Sequence, residues 1–107
     1  MEEPSAKINW SFRAMDELSD IREYLVEVSS EKKADSFVDE LLEVIQKLEN
    51  NSEFHGFCPH PKLQEKGYRC IRFKNYLVIY FVLGNTVQII AIMHAKRNPK
   101  DFDALAE

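Results

Sequence analysis

The feature that most constrains this chain is a change of hydrophobic period near residue 68. Before it, apolar residues return every three or four positions: Ala14, Leu18, Ile21, Leu25 and Val28, then Ala34, Phe37, Leu41, Val44/Ile45 and Leu48. That spacing is one face of an α-helix, written twice. Beyond it, residues 68–73 alternate, residues 77–83 are continuously apolar and residues 86–93 (TVQIIAIM) nearly so. Those are strand patterns. A chain that switches once from the first period to the second belongs to the α+β class.

The helical stripes carry acids on their outer sides: Asp16, Glu17, Asp20, Glu23 and Glu27 on the first, and Asp35, Asp39, Glu40, Glu43 and Glu49 on the second. Ser11 stands where an N-cap belongs. Ser29-Ser30 breaks the pattern after too few residues for anything but an antiparallel helical hairpin. Each apolar stripe is too wide to be buried by the other helix alone, so the pair needs a sheet to lie on. Lys74-Asn75 and Gly84-Asn85 separate the strands, and two-residue links rich in Gly and Asn are hairpin turns. The expected fold is therefore an N-terminal helical hairpin packed on one face of a small antiparallel sheet. Three strands form a meander and residues 7–10 (KINW) join as an opening or edge strand. Residues 51–67, with two prolines and two glycines, read as a surface loop. Residues 100–106 can add one or two helical turns after Pro99.

At 107 residues the chain is expected to be one domain, residues 1–107. Apolar residues make up 45% and charged residues 30%, the balance of a soluble globular protein. No apolar run approaches the roughly 20 residues of a membrane span. The acidic N-terminus does not read as a secretory signal. Cys58 and Cys70 are too few for a disulfide framework, which places the chain in a reducing cytoplasm.

The net charge of −4 hides a strong asymmetry. Residues 1–61 hold 6 Lys/Arg against 14 Asp/Glu, and residues 62–100 hold 8 Lys/Arg against Glu65 alone. A separable basic surface of this kind suits a polyanion or an acidic partner. If Ile71 and Phe73 face the helices, Cys70 and Arg72 point to the other side, which a helical layer on one face leaves open. The meander then brings the end of the third strand, with His94, Lys96 and Arg97, level with Arg72 and Lys74. Tyr76 and Tyr80 are expected nearby.

A histidine among cations around one phosphate is the minimum for metal-free RNA cleavage, in which the 2′-hydroxyl attacks and the protein supplies base, acid and charge stabilisation. The bland reading is equally concrete. A histidine at a strand end serves as a structural hydrogen-bonding residue, Arg69 holds the adjoining loop, and the tyrosines belong to the core. The cluster His55, Cys58 and His60 lacks the ligand number and spacing of a zinc site, so no metal is expected. With three glycines in all there is no phosphate-cradling loop, and no cofactor is expected.

The order of several short motifs is more specific than any one of them. I-N-W-S leads into Ala14, Leu18, Ile21, Tyr24 and Leu25; F-V-D-E-L-L follows; then G-Y-R-x-I-x-F-K-N-Y-L-V-I-Y and I-x-H-x-x-R-x-P. From about residue 7 to residue 100 the chain resembles the RelE/ParE superfamily of toxins from bacterial type II toxin–antitoxin modules, associated with growth inhibition and plasmid stabilisation. The resemblance implies a helical hairpin on an antiparallel sheet. It also implies a small, acidic, partly disordered antitoxin as partner. Two activities follow from it: inhibition of DNA gyrase by binding, in the ParE-like branch, or ribosome-dependent mRNA cleavage without metal, in the RelE-like branch.

The F-K-N-Y-L-V-I-Y run and the I-x-H-x-x-R-x-P ending resemble the ParE-like branch. Ala95 follows His94, and no tyrosine occurs after Tyr80, where RNA-cutting relatives often have one. The leading expectation is thus a gyrase-binding toxin. The alternative is an endoribonuclease using Arg69, Arg72 and His94. On either reading Arg69, Arg72, Lys74, Lys96 and Arg97 are the expected partner or nucleic-acid contacts. A pI of about 5.4 departs from the basic character common in the family.

Overall fold

The computed structural model describes residues 7–51 and 56–107. The elements run β1 (Lys7–Trp10), α1 (Phe12–Val28), α2 (Glu31–Gln46), α3 (Leu48–Asn51), α4 (Pro61–Glu65), β2 (Arg69–Phe73), β3 (Tyr76–Leu83), β4 (Thr86–His94) and α5 (Pro99–Asp103), closed by a 3₁₀ turn at Ala104–Ala106. Both long helices start on serine. The Ser11 hydroxyl accepts from the Ala14 amide at 2.9 Å and the Ser30 hydroxyl from the Lys33 amide at 3.1 Å, each satisfying a donor that the first helical turn leaves free. The Ser29 amide donates to the Leu25 carbonyl and closes α1.

The sheet order is β1-β4-β3-β2. The last three strands form the expected antiparallel meander, while β1 runs parallel to β4, so the sheet is mixed. Both tight links place their first residue at positive φ, Lys74 at 51° and Gly84 at 59°, as hairpin turns that follow the twist of the strands require. Between Ile79 and Tyr80 the register slips, leaving Ile90 of β4 as a bulge. β1 pairs only as far as Trp10 with Ile89, so the flank of β4 beyond that point needs other partners. Helix α1 provides them: the Ser11 hydroxyl donates to the Ile90 carbonyl at 2.8 Å, and the Glu17 carboxylate accepts from the Ile92 amide at 3.0 Å.

Each face of the sheet has its own core. On one, Ala14, Ile21, Phe37, Leu41, Ile45 and Leu48 from the helices pack on Ile71, Val78, Tyr80, Val87, Ile89 and Ile92, as the two periods anticipate. On the other, Cys58, Leu63 and Phe102 cover Ile79, Ala91 and Met93. Two expectations are corrected here. The face away from the helical hairpin is not open, because α4, α5 and the closing turn cap it. Residues 56–67 are not simply a surface loop, since Cys58 and Leu63 are both 0% exposed. The physical reason is that one leucine, one cysteine and one phenylalanine, spread over 45 positions, make a core with no period to read.

The cysteines are a third correction. Cys58 and Cys70 form a disulfide across a Cα–Cα distance of 4.9 Å, within the span such bridges require. The backbone brings them together. Phe57 bridges Arg69 antiparallel, the Cys58 amide donates to the Tyr68 carbonyl, and the Cys70 amide donates to the Gly56 carbonyl. Counting cysteines misses a pair that strand pairing has already aligned.

Candidate binding cleft and basic margin

The register of the sheet decides which of the expected site residues meet. Tyr76 pairs with His94, and the Ala95 amide donates to the Asn75 carbonyl at 2.8 Å. The β2–β3 turn and the segment leaving β4 are therefore one structure, with Arg72, Lys74, Lys96 and Arg97 at that end of the sheet. Arg69 sits elsewhere. It pairs with Tyr80, which pairs with Ile89, two strands across from His94 and five residues back along β4. At ~3.3 Å per residue and ~4.8 Å per strand, the two backbones stand roughly 19 Å apart. The Arg69 guanidinium lies over the Phe57 ring, 4.3 Å from its centroid, on the outer flank of β2. It holds the neighbouring segment through a ring.

The remaining side chains are engaged locally. Arg72 Nε donates to the Lys74 carbonyl at 2.6 Å, bracing the turn at the residue with positive φ. Lys74 Nζ lies 3.0 Å from the Glu40 carboxylate of α2 and within 5.5 Å of the Phe37 and Phe73 ring centroids. Arg97 Nε stands 4.0 Å from Asp101. The exposed His94 ring accepts the Lys96 amide proton at Nδ1, 3.1 Å away, so the neutral imidazole carries its own proton on Nε2. It meets Tyr76 edge-on, with centroids 5.4 Å apart.

Tyr80 is not at this margin. It is wholly buried in the large core. Burial pushes its phenol up to about 12, opposed by the positive charge of Arg69. The phenol of Tyr76 is raised as well, by burial first and by the neighbouring Tyr24 second. Of the three residues weighed as metal ligands, His55 lies outside the described residues. The Cys58 sulfur is in the disulfide, and His60 stacks on Phe102 at 4.1 Å.

Concave surfaces flank the helical hairpin. A cleft of about 670 Å³ opens between the α1–α2 connection and the β2–β3 turn, and His94, Tyr76 and Lys74 share it with Tyr24, Lys33 and Glu40. An apolar groove of about 470 Å³ runs along the outer side of the hairpin, lined by Trp10, Met15, Leu18, Val38 and Leu42. Tyr24 and Lys33 reach the first site from helices, 40 residues or more from the turn and strand residues they face. No local sequence signal marks such a juxtaposition.

The profile of the ParE toxin of the type II toxin–antitoxin system, parDE, matches residues 8–99. The chain belongs to the ParE toxin family. Among curated proteins, none matches this ParE-family chain. A solved structure of the chromosomal ParDE toxin–antitoxin system from P. aeruginosa shares its fold, with a TM-score of 0.74, 19% identity, and coverage of 86% of this chain and 98% of that one. Among the described residues, no helix of this ParE-family chain is long and apolar enough to cross a membrane.

Proposed function

We propose that this ParE-family toxin works by binding its target without cutting it, that the target is DNA gyrase, and that a cognate antitoxin neutralises it. The observation that carries this reading is the distance between Arg69 and His94. Cleavage of RNA needs a base, an acid and cationic stabilisation converging on one phosphate. Arg69 lies at the far end of β2 over Phe57, Arg72 is folded onto its own turn, and Nδ1 of His94 is already occupied. A surface arranged in this way suits recognition better than proton transfer. A gyrase target places the protein in the cytoplasm.

The antitoxin contributes two kinds of contact. Its acidic segment lies against Arg72, Lys74, Lys96 and Arg97, and its apolar residues enter the groove at Met15 and Leu42, which are 45% and 41% exposed. Folding of a disordered segment on binding fits both. The test is a supercoiling assay with purified gyrase and the isolated toxin. Inhibition that the antitoxin reverses is expected, and full supercoiling activity at saturating toxin contradicts the proposal. Met15→Glu and Arg72→Glu are each expected to weaken the antitoxin complex at least tenfold with folding intact. Unchanged affinity in both removes the docking assignment.

A further inference from the structure

The cleft beside His94 takes part in no catalytic step above and shares only Lys74 with the antitoxin contacts, and its lining is selective. Its floor is aromatic. Phe37 meets Tyr76 at 5.6 Å, Tyr76 meets His94 at 5.4 Å, both edge-on, and Tyr24 stands at the mouth with 56% of its surface exposed. Its polar groups include three donors suited to an anion: the Lys33 and Lys74 ammonium groups and the Tyr76 hydroxyl, whose pKa burial raises further. The single acid in the lining, Glu40, is held by Lys74 at 3.0 Å. A volume of about 670 Å³ is in the range of sites that take small organic ligands.

We propose that this cleft binds a nucleoside monophosphate, with its base against Tyr24 and its phosphate held by Lys33 and Lys74. A flat ring alone would leave the ammonium groups unused, and inorganic phosphate alone would leave the aromatic wall unused. Every base has a face that stacks on an aromatic ring, and an ammonium holds phosphate as a point charge. Phosphate entry draws Lys74 from Glu40, so Glu40 acts as an internal competitor for the ligand. The inference stands apart from the gyrase reading, because only Lys74 is common to this cleft and the antitoxin surface and its test reads small-molecule binding alone.

The experiment is titration of the full, isotope-labelled chain with AMP, adenosine and inorganic phosphate, followed by amide chemical shifts. AMP is expected to shift signals of residues 33–37, 74–76 and 94 saturably, with adenosine and phosphate each at least tenfold weaker. Tyr24→Ala should weaken AMP about tenfold, the size of one lost base stack. Lys33→Ala should weaken it several-fold, and Glu40→Gln should tighten it several-fold by releasing Lys74. Phe12→Ala, at an exposed residue outside the cleft, should leave it unchanged. Absence of saturable shifts at about 10 mM AMP, beyond weak millimolar affinity, overturns the proposal. So does phosphate binding as tightly as AMP while Tyr24→Ala has no effect, since that describes a simple anion site.

Discussion

The two faces of the sheet are built by different means. One is covered by 33 residues of regular helix, α1 and α2 together, whose apolar stripes repeat with the helical period. The other is covered by two five-residue helices and a disulfide. The first face gains its stability from area removed from water. The second has too few apolar side chains for that, and a covalent tie holds its cap in place. The contrast teaches that similar burial, 0% exposure at both Leu41 and Leu63, can rest on different physical supports.

The sharpest way to break that comparison is to truncate both leucines. Leu41→Ala should cost about 3–4 kcal/mol, within the range for a buried leucine, and lower the urea midpoint of the whole chain. Leu63→Ala should cost less and expose mainly residues 56–68 to hydrogen exchange. Equal, global losses would mean that the two cores unfold as one. Next in size is the disulfide. Closing a 12-residue separation contributes about 3 kcal/mol by chain entropy. Paired Cys58→Ala and Cys70→Ala substitutions should therefore lower stability by about that amount and release the same segment, with the helical hairpin still protected. Unchanged stability would show that the small core holds without its tie.

Alkaline pH probes the large core. The Tyr80 phenol stays protonated to about 12 in the folded chain, against about 10 when unfolded. Above pH 10 the unfolded chain has released a proton that the folded one still binds, so stability falls as pH rises from 10 towards 12, by about 2 kcal/mol. Tyr80→Phe should flatten that slope in urea titrations repeated across the interval. A slope that persists assigns it to another group. Smaller still is the junction where α1 replaces the missing strand beside β4. Glu17→Ala leaves the Ile92 amide without its acceptor and should cost about 1–2 kcal/mol. Glu17→Gln keeps an acceptor oxygen and should restore most of the loss. If both variants behave alike, the bond contributes little.

The large core was legible in the sequence because period is a local property. Ala14, Ile21, Phe37, Leu41 and Ile45 all fall on the predicted stripes, and the turns at Lys74-Asn75 and Gly84-Asn85 announce themselves by composition. The small core was not legible. Leu63 and Phe102 are isolated apolar residues among polar ones, Cys58 stands in a short F-C-P run with no period, and only strand pairing at Phe57–Arg69 brings Cys58 to the sheet. The parallel direction of β1 was hidden for the same reason, since four residues carry no sign of the partner they choose. For the site, the register placed His94 beside Tyr76 and the Lys74 turn, but Tyr80 went into the core and Arg69 to the opposite end of β2. A strand's alternation tells which face a residue takes, whereas its height along the sheet depends on partners that only the fold supplies.

The claim on which this account turns is that Arg69 and His94 do not act on one phosphate. Mapping the 5′ ends of cellular transcripts during expression of the isolated toxin tests it most directly. Growth arrest with no new site-specific ends is expected, in the wild type and in His94→Ala alike. Ribosome-dependent cleavage that disappears in both Arg69→Ala and His94→Ala would contradict it.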